Sequence, residues 1–175
     1  MIKVTQVRTA SQMRRFVQFP LVLYKNCPHY VPAIYADERN ILNPAKNPNL
    51  VDCEVCCYLA YKDGKVAGRI AAIEQKAYNT LSGRKCLRFS RFDCIDDREV
   101  AAALFAAVEA FGREKGLDTL HGPWGFDDMD REGMLTEGFD RRATYATNYN
   151  FEYYKNLVTS LGFQDESEWV EYEFD

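Results

Sequence analysis

Residues 122–163 read GPWGFDDMDREGMLTEGFDRRATYATNYNFEYYKNLVTSLGF. A short apolar run gives way to a long acidic loop that carries glycines. An aromatic stretch then closes on Leu161-Gly162-Phe163. This pattern predicts a helix over 150–161, with Asn150 as its N-cap. Trp169 to Phe174 reads as a strand that follows it.

Upstream elements can be read in the same way. Ile2 to Val7 alternates apolar and polar and predicts a strand. Ser11 reads as the cap of a helix that Pro20 interrupts. Residues 35–42 predict a second short helix, and the prolines and asparagines of 43–49 a loop. Cys56 to Tyr61 and Lys65 to Glu74 predict two strands joined by Lys62-Asp63-Gly64, a hairpin signal. Residues 85–95 predict a third strand, although neither of its alternating faces is cleanly apolar. Val100, Leu104, Val108 and Phe111 set one apolar stripe on a helix over 97–115, which Gly116 ends. Asp118 to His121 begins another strand. The order predicts a mixed α/β sheet: a central antiparallel meander, one parallel pair across a helical crossover, and helices on its faces.

The chain has 175 residues, enough for one domain with a sizeable core. Its net charge of -4 argues against nucleic acid as a main partner. No apolar run approaches the roughly 18 residues of a membrane span, and residues 1–10 lack a signal peptide's apolar core. The expectation is a cytoplasmic protein with no membrane partner. Cys53-x-x-Cys56 has no second pair to complete four ligands, so the six cysteines read as reduced thiols.

The order of elements resembles the acetyltransferase fold of the GNAT superfamily. The likeness extends to sequence. FVQFPLVLYKNCPHYVP (16–32), the Asn43-Pro44 and Lys46-Asn47-Pro48 pair, LAYKDGKVAGRIAAI (59–73), HGPWGFDDMDREGMLTEGFD (121–140) and YNFEYYKNLVTSLGF (149–163) resemble the N-terminal half of bacterial GNAT-like proteins. Such proteins are about twice as long, with a second GNAT-like unit following. Residues 1–175 are therefore expected to form one GNAT-like domain that stops where the fold's last strand should begin. Its sheet would be completed by a second unit or by a partner copy in a homodimer.

The resemblance implies acetyl-CoA in a cleft where strand 85–95 splays from strand 118–124. Its cofactor contacts would fall to Phe92, Asp93, Cys94, Ile95, Arg98 and Asn150. The superfamily seats the pyrophosphate on free N–H groups at a helix start, in a glycine-rich loop. Here that place holds Cys94-Ile95-Asp96-Asp97-Arg98-Glu99. Asp96 with Glu99 reads as a capping box that would use the same N–H groups. The superfamily's general-acid tyrosine falls on Val158, leaving Tyr153 and Tyr154, one turn earlier, as candidates, Tyr154 the one chosen. His121 and Asp127 are the candidate bases, His121 for its useful titration range, with Glu74 behind them. Asp128-x-Asp130-x-Glu132-Gly133 copies half of a calcium loop, but Phe139 stands where the bidentate glutamate belongs, so no metal is expected. The acidic loop is instead expected to wall the cleft, with Met129, Met134, Leu135 and Phe139 packed inward, facing an amine or peptide substrate. Two functions follow from these residues. One is an acyl-CoA-dependent N-acetyltransferase; the other is a non-catalytic binding or scaffold module of a tandem protein.

Overall fold

The computed structural model describes residues 1–43, 45–127, 129–142, 144 and 147–172. One five-stranded sheet runs in chain order: β1 (Ile2–Gln6), β2 (Cys53–Lys62), β3 (Lys65–Gln75), β4 (Cys86–Cys94) and β5 (Thr119–His121). The first four strands pair antiparallel, and β4–β5 is parallel. The β2–β3 turn uses Asp63 and Gly64, both at positive φ (51° and 79°), as a two-residue hairpin of this hand requires.

Helix α4 (Arg98–Glu114) lies on one face of the sheet. Its Val100, Leu104, Phe105 and Val108 pack against Ile70, Ala72, Leu87 and Phe89. Gly68 permits this approach, because a Cβ there would sit 2.8 Å from the Leu104 side chain. Helix α5 (Tyr153–Thr159) adds Tyr154, Leu157 and Val158 to the same core. The opposite face carries α1 (Ala10–Leu23), whose Phe16 and Val17 bury against Cys57, Leu59 and Ala71, and beside it α2 (Tyr35–Ile41).

Several boundaries differ from expectation for identifiable reasons. Thr9, not Ser11, caps α1: its hydroxyl accepts from Gln12 N while the Gln12 side chain accepts from Thr9 N. The helix runs through Pro20 to Leu23. A proline leaves the carbonyl four residues back without its helical donor; here that is Phe16 O, and Arg69 Nη1 fills it at 3.0 Å. A further helix, α3 (Lys76–Ser82), follows β3 where none was expected. Asp97, not Asp96, caps α4. The last helix is α5, led by Glu152 at its N-cap position, not by Asn150. The strand expected over 169–174 does not form over 169–172, and 173 and 174 lie outside the described residues. The chain just before it is tied down by His121–Glu166 (2.9 Å) and Lys155–Asp165 (3.2 Å).

The uneven faces of β4 have one cause. Arg91 takes φ 51° and inserts an extra residue opposite β3 between the Arg69 and Ala71 pairings. That bulge reverses the alternation. Phe92 and Cys94 therefore join Leu87 and Phe89 in the α4-side core.

Candidate functional site

The β4–β5 ladder is short. Its pairs are Cys86–Thr119, Leu87–Leu120 and Arg88–His121. One further bond, Trp124 N to Phe89 O at 2.8 Å, carries the contact past Gly122. At Gly122 a Cβ would meet Phe89 O at 2.4 Å and φ is 151°, so only glycine lets the chain leave β4 there. Beyond Phe89, no described strand pairs with this side of β4.

A cleft opens beside that splayed edge. Pro20, Leu21, Ala33 and Met134 give it apolar walls, and Tyr30, Tyr35 and Tyr149 add aromatic ones. Arg69, Arg91, Asp93 and Tyr154 line it as well, along with Glu38, Arg131 and Asn150. Two buried networks hold these polar groups. In the first, Arg69 Nε donates to Asp93 Oδ2 at 2.7 Å and Tyr24 OH to Asp93 Oδ1 at 2.9 Å. The Tyr24 and Tyr154 hydroxyls lie 3.0 Å apart. In the second, Arg91 donates Nε to Glu38 (3.1 Å) and its two terminal nitrogens to Asp130 (3.2 and 3.3 Å).

Burial sets the electrostatics. It pushes the Asp93 carboxyl above its ordinary range, with Arg69 and the two phenols pulling the other way. Burial, reinforced by Asp93, raises the Tyr24 and Tyr154 hydroxyls well above 10 and Tyr30 to about 12. Burial would also raise Glu38, but Arg91 and then Arg69 outweigh it and hold that carboxyl below 4.5. The cleft floor thus presents neutral phenols beside paired charges.

Of the expected site residues, Phe92, Asp93, Asn150 and Tyr154 meet at the cleft. Cys94 ends β4 past it, and Ile95 follows the strand. His121 is not among its lining residues and faces Glu166. Asp127 lies on the acidic loop outside the cleft, where it accepts from Asn49 Nδ2 at 2.7 Å and from Met129 and Asp130 N–H groups. Asn150 spends its amide on the acidic loop, accepting from Leu135 N (2.7 Å) and donating to Leu135 O (3.1 Å). Arg98 clamps the end of α5 through Ser160. Met134 packs on the core as expected, whereas Met129 is 71% exposed. Asp128 lies outside the described residues, and Asp130, its partner in the calcium-like pattern, is committed to Arg91. Arg69 and Tyr24 were not foreseen. Their spacing carries no motif, and only the fold brings them to Asp93.

The residues around the splay can be tested against an acyl-CoA. Its arm would need the open edge of β4. Both main-chain groups of Cys94 are already taken there: Cys94 N donates to Tyr154 OH (2.9 Å), and Tyr153 OH donates to Cys94 O (2.7 Å). Its pyrophosphate would need the start of α4. There Asp97 accepts from Glu99 N (3.0 Å) and Val100 N (3.3 Å) and is itself ion-paired to Lys62. The arrangement does not fit the cofactor.

This chain has the acetyltransferase fold of the GNAT superfamily. Among solved structures it superposes on a predicted acetyltransferase with acetyl-CoA from Clostridium acetobutylicum, with a TM-score of 0.56 and 12% identity over 99% of this chain and 96% of that one. It superposes similarly on the aminoglycoside N-acetyltransferase AAC(6')-Iy in complex with CoA (TM-score 0.54, 15% identity, 99% and 95% covered). No family model matches the sequence. Among curated proteins, Protein YghO of Escherichia coli (strain K12) is 31% identical over 153 residues, 87% of this chain and 39% of that protein. A bacterial ceramide synthase of Caulobacter vibrioides (strain NA1000 / CB15N) is 27% identical over 175 residues, 99% of this chain and 46% of that one. The chain therefore spans less than half the length of the curated relatives it matches.

Proposed function

We propose that this domain is the ligand-holding unit of a longer acyl-CoA-dependent N-acyltransferase. Its cleft takes the amine-bearing acceptor, and the acyl-CoA is held outside this unit. The carrying observation is the occupied edge of β4. Two tyrosine hydroxyls fill the main-chain groups of Cys94, and Asp97 fills the start of α4, while the cleft beside them keeps about 70 Å³ of free space, room for a small polar head. The cleft's apolar walls and polar floor suit an acceptor with an apolar body and one polar head. The head would meet Asp93 and Tyr154, and the similarity to a ceramide synthase supports an acceptor with a long apolar chain.

A second reading keeps catalysis in this unit. The splayed β4–β5 pair and neighbours that bind acetyl-CoA or CoA support it. Acyl-CoA would then enter once α5 withdraws Tyr153 and Tyr154, and Tyr154 would serve as the acid.

Titration calorimetry with acetyl-CoA and with CoA separates the two. The first reading expects no heat up to millimolar ligand, for the wild type and for Tyr153→Phe alike. Micromolar binding, or binding that appears when Tyr153→Phe frees Cys94 O, would replace it with the second.

A further inference from the structure

Four large aliphatic side chains stand exposed within one short span: Leu21 (44%), Val22 (71%), Val31 (45%) and Ile34 (70%). Leu21 reaches the cleft, and Val22 adjoins it on the exposed side of α1. Ala33 also lines the cleft, and Ile34 is its immediate chain neighbour. Single exposed aliphatics are ordinary, but a cluster on one rim marks a contact surface.

The first fifty residues carry a charge opposite in sign to that of the whole chain. Seven lysines and arginines but only two acids, Asp37 and Glu38, fall in the first fifty residues. The rest of the chain carries fifteen against twenty-four, giving the net charge of -4. Glu38 shares Arg91 with Asp130. Arg14, Arg15, Lys25 and Arg39 are exposed. Arg14 and Arg15 lie seven residues before Leu21 and Val22, and so share their face of α1.

We infer that this rim docks on an anionic lipid surface, with Val22, Val31 and Ile34 entering the headgroup layer and the basic side chains meeting lipid phosphates. Exposed aliphatics set among lysines and arginines form the amphipathic pattern that holds a protein in the plane of a bilayer without crossing it. Among the described residues no helix is long and apolar enough to span one, and surface docking needs none. The cleft mouth would then face the acyl-chain region, so an apolar ligand enters without passing through water. The inference stands on exposure and charge, independently of how the cleft treats acyl-CoA.

Flotation of the full chain with vesicles of phosphatidylcholine alone, and with phosphatidylglycerol added, tests it. Association is expected with the anionic vesicles and not with the neutral ones. Lys25→Glu should weaken it about fivefold or more, as expected for a basic residue near such a surface. Val22→Asp with Ile34→Asp should abolish it, and the exposure of both sites leaves the fold intact, which thermal melts followed by circular dichroism verify. Absence of flotation at low salt, or flotation unchanged in the double variant, would overturn the proposal. So would a concentration-dependent dimer in light scattering that the same double variant dissolves, because the rim would then be an interface between copies.

Discussion

Arg69, on β3, touches two other elements from one buried position. Its Nε pairs with Asp93 on β4, its Nη1 closes the gap that Pro20 leaves in α1, and its guanidinium lies 5.1 Å from the Phe16 ring centroid. A pair this buried is weak evidence of net stabilisation, but breaking it from one side is costly, because the remaining charge stays desolvated. Arg69→Met should therefore destabilise the domain by about 3–5 kcal/mol, read as a lower denaturant midpoint. Arg69→Met with Asp93→Asn, which removes the charge but keeps an acceptor for the Tyr24 and Tyr154 hydroxyls, should recover part of that loss. Equal losses in the single and double variants would show that Arg69 acts through α1 alone. None of this was visible from the residue's neighbours in sequence. Lys65 to Glu74 reads as a strand, and a strand's alternation does not say which arginine will meet a buried aspartate 24 residues later. Asp93 and Tyr154 were named from the resemblance and both line the cleft, whereas Arg69 and Tyr24 reach Asp93 only through tertiary packing.

At the level of elements, the patterns with strong local physics were readable. The positive-φ pair Asp63-Gly64 specifies its hairpin, and the stripe of Val100, Leu104 and Val108 specifies α4. The failures lie where local signals compete or vanish. Helix α3 buries no residue, so its sequence holds no apolar stripe to find. The bulge at Arg91 puts a non-glycine residue in the left-handed region, which its own chemistry does not announce. In α1 two hydroxyls compete as cap, and the reciprocal bond to Gln12 decides for Thr9. Thr9→Ala should thus cost about 1 kcal/mol, while Ser11→Ala should be neutral within a few tenths. Paired thermal melts give the comparison, and a larger effect at Ser11 would reject the assignment.

Across the whole molecule, Arg91 ties the layers together. It sits in the β4 bulge, reaches Glu38 on α2, and holds Asp130 of the acidic loop in a two-pronged grip. The helical layer, the sheet and the loop that walls the cleft thereby share one cation. This ion set has a pH signature. Glu38 in the fold is held below 4.5, so the folded state binds its proton less readily than the unfolded chain does. Its contribution is therefore complete above that ordinary value and is lost as pH falls through the folded value. Glu38→Gln removes the titrating group. The variant should be less stable than the wild type near neutral pH, and the gap between them should close as the pH drops below about 4.5. Denaturant midpoints of both proteins from pH 7 to pH 3 measure that gap. A constant offset across the range would mean that Glu38 contributes packing rather than charge. A closing gap would show that the acidic loop, α2 and the bulged strand are held over the cleft by one shared ion cluster.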